Sequence, residues 1–324
     1  MFEKLNRNMV QGISFNDIPG WEEDDHLEAY NALLNGIGSK SSRKNIQTTL
    51  EAKFFFEKNY KPYLLKNIFD ENNLYTGYFE PKLLASKIKT DQFHYPLYGL
   101  PSDADATSKL FNLTRKDLIE NTYKEFPILG WLNNRIDLYF MHIQGSGLLE
   151  YPDGSFKRYI YSGKNNYKYT SIGKYLTENG FLKINEISMF KIKKWMEKED
   201  KNYRISYLNK SFIFFKEDIY NKTTDHPKGQ LGIRLSPFRS LAVDMSIYEL
   251  NTPVWIKTKI PNKNNNSDKE FERLMIAQDQ GSAIKGIFRG DIYFGSGNQA
   301  GDAAGSMKSK GDIVILKKLE NLND

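Results

Sequence analysis

Asp279 and Asp291 are the residues best suited, by type and spacing, to do chemistry. Asp279 closes a strand-like run in AQDQGSAIKG (277–286), and Asp291 opens the next one in RGDIYFGSG (289–297), with a Gly/Ser/Lys turn between them. Two carboxyls at neighbouring strand ends, beside the backbone N–H groups of a turn, can hold one acid protonated next to one that is ionised. That is the equipment of general acid–base catalysis. A third carboxyl, Asp244, follows the apolar run Leu241-Ala242-Val243. All three would serve equally as turn caps, a routine use of aspartate, so spacing alone leaves both readings open.

Other chemistries are poorly supplied. His26, His94, His142 and His226 are scattered, without metal-ligand spacing. There is no G-x-S-x-G elbow, P-loop or dinucleotide fingerprint, and Gly145-Ser146-Gly147 leads into no helix signal. Cysteine is absent, which removes disulfides, thiolate nucleophiles and Cys-ligated zinc. No metal and no cofactor are expected. Three further clusters join aromatic rings to amides and hydroxyls: YTGYFEP (75–81), MHIQGSG (141–147) running into YPDG (151–154), and RYIYSGKNN (158–166). Rings that stack on sugar faces, beside donors and acceptors for hydroxyl and N-acetyl groups, suit a sugar polymer. With 20 Tyr and 21 Phe in the chain, most of these rings must also fill the core.

The elements that position these residues read as mostly β. Leu27, Tyr30 and Leu34 follow helical spacing, and 50–64 reads as a second helix with aromatics on one side and Lys on the other. From Tyr75 onward, short runs broken by Gly, Pro, Asn and Asp predict strands at 75–79, 136–143, 157–161 and 211–215. Two helices interrupt them, one capped by Ser171 and ending before Gly180, the other presenting Met189, Ile192 and Met196 on one face. Strands return at 254–260, 274–278, 291–294 and 312–316, with a solvated loop at 263–268. Strand runs without regular helix alternation argue against a doubly wound sheet and favour a mostly β or α+β, barrel-type fold.

The charge balance is +6, from 46 basic and 40 acidic residues. Spread over 324 residues, it suits a polyanionic surface but gives thin support to a nucleic-acid reading. The apolar runs, such as 212–215, are too short to span a bilayer, and the opening Met1-Phe2-Glu3-Lys4 is polar, unlike a signal peptide.

TGYFEP (76–81), HIQGSG (142–147), SPFRSLAVD (236–244), AQDQGSAIKG (277–286) and RGDIYFGSGNQAG (289–301) occur in one order, and the sequence from Tyr75 to Lys318 resembles the membrane-bound lytic murein transglycosylase A family. The resemblance implies a double-psi β-barrel domain built from 1–102 and 234–324, with peripheral helices. It also implies a smaller inserted β domain at 103–233 and a glycan groove between the two. It makes Asp291 the catalytic acid, Asp279 its supporting carboxylate and Asp244 a structural third. It assigns Thr76, Tyr78, Glu80, Gln144, Ser146, Lys285 and Gly286 to substrate binding. The implied reaction cleaves peptidoglycan between N-acetylmuramic acid and N-acetylglucosamine with a 1,6-anhydro end, needing neither metal nor cofactor. The implied partners are glycan strands and other cell-wall enzymes, without nucleic acid. The implied location is the periplasmic face of the envelope, associated with the outer membrane through an anchor outside these residues. A non-catalytic glycan-binding module and a water-using, two-carboxylate hydrolase are the rival readings.

Overall fold

Runs of β-branched and aromatic residues pair along the chain in the computed structural model, which describes residues 7–37, 46–68, 73–101, 109–184, 187–219, 226–262 and 267–319. Strand exceeds helix, 33% against 29%, so the mostly β class expected from the sequence is the one adopted. Two compact units divide the chain. The first comprises Met1–Tyr78, Leu231–Gly295 and Met307–Asp324; the second comprises Phe79–Gln230 and Ser296–Ser306.

The first unit carries a nine-stranded sheet in the order Val10–Gly12, Tyr60–Leu65, Gly311–Lys318, Pro253–Ile260, Lys269–Asp279, Ser240–Ala242, Arg289–Ser296, Leu74–Glu80, Lys308–Ser309. The short strand Ser240–Ala242 runs parallel to Lys269–Asp279 and antiparallel to Arg289–Ser296. Helices His26–Ile37 and Thr49–Asn59 bury Tyr30, Leu33 and Phe56 against Trp255, Leu274, Ile276 and Leu316 of the sheet. The second of these helices starts with a capping box: Thr48 Oγ1 accepts from Glu51 N, and Glu51 Oε2 accepts from Thr48 N. It stops at Asn59, short of the expected 64. Pro62 has no N–H to continue a helix, and Tyr60–Leu65 instead pairs with strands on both sides.

The second unit is built on a six-stranded sheet in the order Tyr95–Tyr98, Ile128–Leu132, Lys82–Ser86, Ser146–Glu150, Phe156–Lys164, Ile213–Glu217. It begins at Phe79 because Lys82–Ser86 and Tyr95–Tyr98 pair within this sheet. The expected boundary at 102/103 lies outside the described residues, as do most of the 263–268 loop and the polar opening at 1–4. The two units are of nearly equal length.

Its helices include Arg135–Gln144, where the sequence had predicted a strand. Asn134 Oδ1 accepts from the N–H groups of Ile136 and Asp137, at 2.8 and 3.3 Å. Gly145, at φ 84°, closes the helix through a bond to Met141 O. Burial of Ile136 and Leu138–His142 leaves little polar face, which hides the helical period. Ser171 caps Ile172–Glu178 as expected, its Oγ accepting from Lys174 N. Among the described residues, no helix is long and apolar enough to cross a membrane.

Candidate active site

The register of one short strand brings the aspartates together. Ala242 pairs with Asp279 on one side and with Asp291 on the other. Register partners share a sheet face, so both carboxyls emerge on the face of Ala242, two strand spacings apart, about 9–10 Å between Cα atoms. A shift in register between Leu241 and Ala242 makes this possible: Leu241 faces Ala277, but Ala242 faces Asp279, skipping Gln278. Gln278 turns away, donating to Ala32 O at 2.6 Å and accepting from Ser240 Oγ at 2.9 Å.

Asp291 is partly buried, and its Oδ1 accepts from Thr76 Oγ1 at 2.5 Å. Thr76 in turn accepts from Arg289 Nη2 at 2.8 Å. Burial raises the Asp291 carboxyl above its ordinary value, against the opposing effects of the Arg289 charge and the Thr76 bond. The intervening Gly290 is needed for close approach: a Cβ there would lie 2.9 Å from the Tyr75 ring.

Asp279 is buried, with both oxygens committed. Oδ2 accepts from the Tyr78 hydroxyl at 2.9 Å, and Oδ1 from Gln280 N at 2.9 Å. Tyr78 packs with Ala242, Tyr293 and Leu235. Burial, with Asp279 and Asp291 nearby, pushes its hydroxyl well above the ordinary value and keeps it a donor.

Asp244 anchors the turn that follows Asp279. Its Oδ1 accepts from Ser246 Oγ at 2.7 Å and Lys285 Nζ at 3.3 Å, and its Oδ2 from Gly286 N at 3.0 Å. Gly286 has φ 107°, a conformation that favours glycine. Burial penalises the Asp244 charge, but these donors outweigh it and hold the carboxyl below its ordinary value. A lowered folded-state value gives stability that is present above the unfolded value and lost as pH falls. Asp244→Asn is therefore expected to cost about 1–3 kcal/mol at neutral pH, with the gap closing toward pH 3. Urea unfolding across that range checks it, and a pH-independent gap would refute it.

The residues assigned to substrate binding are placed differently. Thr76 and Tyr78 spend their hydroxyls on the two carboxyls, while Lys285 and Gly286 are bound to Asp244. In the second unit, Glu80 is fully buried: it pairs with Arg158 Nε at 2.6 Å and accepts from Ser296 Oγ at 2.7 Å. Both Glu80 oxygens are thus engaged inside the protein. Ser146 is buried at the start of its strand, opposite Ile160. Gln144 holds backbone, accepting from Phe79 N at 2.9 Å. Arg289 was missed. Its signal was the i, i+2 spacing to Asp291, which puts both side chains on one strand face.

The fold is mostly β, and its site presents two carboxyls, Asp279 and Asp291, on one sheet face. Residues 74–216 match the MltA specific insert domain and 239–317 match the 3D domain. The chain belongs to the membrane-bound lytic murein transglycosylase A (MltA) family. It is 34% identical to a membrane-bound lytic murein transglycosylase A homolog of Buchnera aphidicola, over 90% of this chain and 77% of that protein. The solved membrane-bound lytic murein transglycosylase of Agrobacterium tumefaciens superposes with TM-score 0.80 at 28% identity, covering 95% of this chain and 97% of that one. Escherichia coli MltA with bound chitohexaose gives TM-score 0.69 at 30% identity, covering 81% and 77%.

Proposed function

We propose that this chain cleaves the β-1,4 bond between N-acetylmuramic acid and N-acetylglucosamine of peptidoglycan at the cell envelope, leaving a 1,6-anhydromuramic acid end, with Asp291 as the single acid and base. Relatives named lytic murein transglycosylases, one of them solved with chitohexaose, support the substrate class. In the forward step Asp291 protonates the glycosidic oxygen as the C1–O bond breaks. The C6 hydroxyl of the same sugar attacks C1 and returns its proton to the Asp291 carboxylate. The other product carries a free 4-hydroxyl. An intramolecular hydroxyl has a high effective concentration, so no protein nucleophile is required.

The observation that carries this reading is the unequal state of the two carboxyls. Asp291 has one oxygen bound and is biased by burial toward its protonated form. Asp279 has both oxygens occupied, by Tyr78 and Gln280. The rival route, an inverting hydrolase, would need the two carboxyls about 6.5–9.5 Å apart around a water. Each Asp279 oxygen already accepts one internal hydrogen bond, whereas Asp291 Oδ2 accepts none among the described residues. Asp279 instead fixes Tyr78 beside Asp291.

Digestion of murein in ¹⁸O-labelled water separates the two routes. Label-free anhydromuropeptides, lighter by one water, are the expected product. Reducing ends carrying ¹⁸O would mean that water attacks, and would make Asp279 a general base. Binding to sacculi without any cleavage would leave the non-catalytic module.

A further inference from the structure

We propose that Arg289 is a positioning residue that dictates which oxygen of Asp291 carries the catalytic proton. The inference rests on the reading of Asp291 as the acid. A threonine hydroxyl has one proton to give and lone pairs to accept with, whereas a guanidinium only donates. Arg289 Nη2, 2.8 Å from Thr76 Oγ1, takes a lone pair of that oxygen. The hydroxyl proton must then point away from the guanidinium, and among the described residues its one acceptor is Asp291 Oδ1, at 2.5 Å. Oδ1 is thereby fixed as an acceptor, so a proton on Asp291 resides on Oδ2, the oxygen left for the leaving group. Without Arg289 the hydroxyl is free to turn, accept the acid proton on Oδ1 and sequester it.

The interposed hydroxyl has a second consequence. Arg289 and Asp291 share a strand face, yet among the described residues no direct ion pair joins them. Direct pairing would hold the carboxyl ionised. Routing the contact through Thr76 transmits the direction of the hydrogen bond while leaving burial to favour the protonated acid. Arg289 is itself held in place: it is buried, and its Nη1 donates to Leu74 O at 3.3 Å and to Gly290 O.

The other ionisable groups around this relay are few. Tyr78, on the strand of Thr76, gives its proton to Asp279. Lys308 pairs in register with Thr76 from the neighbouring strand. Tyr293 follows on the strand of Asp291, and Tyr75 lies beside Arg289. The strand of Ala242 contributes no charge until Asp244, which is bound to Lys285.

Three variants and two readouts test the relay. Arg289→Met is expected to lower kcat on murein about tenfold, the change set by one hydrogen bond of ordinary strength, with KM little changed. It should also move the basic limb of the pH profile upward, because a charge favouring the ionised acid is gone. Arg289→Lys should restore most of both. Thr76→Val should move the limb the same way and make a further Arg289→Met change nearly silent in kcat, since the relay is already cut. The second readout is the titration of the Asp291 carboxyl by ¹³C NMR, expected to shift upward in Arg289→Met and in Thr76→Val. An unshifted carboxyl titration in a folded variant overturns the proposal, as does Arg289→Lys performing no better than Arg289→Met. If Arg289→Met does not fold, Thr76→Val alone decides: an unmoved basic limb is the overturning result. An active Asp291→Asn would instead remove the reading of Asp291 as the acid, while the NMR shift would still report the link to Arg289.

Discussion

Asp291→Asn is expected to fold normally and to cleave murein at least ~10²-fold more slowly, the usual contribution of a general acid. Asparagine keeps the shape and still accepts from Thr76, but its amide protons are far too weakly acidic to transfer to a leaving oxygen. The fold should not suffer at neutral pH. A carboxyl whose folded-state value is raised contributes stability that is present at low pH and lost as pH rises through that value. At neutral pH the variant escapes the cost of an ionised, buried carboxyl. The same sign fixes the pH profile of the wild-type enzyme, whose activity should fall as Asp291 loses its proton on the alkaline side. Turbidity loss of purified sacculi, with thermal melts of both proteins, checks these points. Near-full activity in Asp291→Asn would end the assignment.

Arg158→Met is expected to give the largest loss of stability, about 3–5 kcal/mol, because it leaves a buried carboxylate unpaired. The Arg158 and Glu80 side chains are only 1% and 0% exposed. Burial already raises the Glu80 carboxyl, and Arg158 and Ser296 pull it back. Without Arg158, Glu80 should retain a proton to higher pH, so the loss should shrink toward acid conditions. A second change, Glu80→Gln, should recover part of it, since an uncharged pair no longer opposes burial. Urea unfolding of the single and double variants measures all three effects. A loss below about 1 kcal/mol, the range of a solvent-exposed ion pair, would mean that water reaches the pair and would return Glu80 to the set of glycan contacts.

The local chemistry of the chain was legible in the sequence where neighbours in sequence decide the outcome. Ser171 reads as a helix cap and serves as one. The run 254–260 reads as a strand, and Pro253–Ile260 is the strand found there. Asp279 ends one strand, and Asp291 lies near the start of another. The ordered motifs also carried the family. Local reading failed where burial erased the period. Arg135–Gln144 is wrapped in apolar contacts, so its sequence lacks the polar face that marks a surface helix, although Asn134 and Gly145 marked its two ends.

What the sequence by itself determined was therefore the mostly β class, the family and the carboxyls available for chemistry, because residue type, turn chemistry and motif order are properties of the linear chain. Only the tertiary structure decided the partners of each group. The skipped Gln278 puts Asp279 and Asp291 on one face of Ala242, a matter of strand register rather than spacing. Glu80 and Thr76 come from the same motif, yet one pairs with Arg158 in the interior while the other links Arg289 to Asp291. These partners lie tens to hundreds of positions away in sequence, and the proton affinity of a carboxyl depends on the burial and donors that only the folded chain supplies.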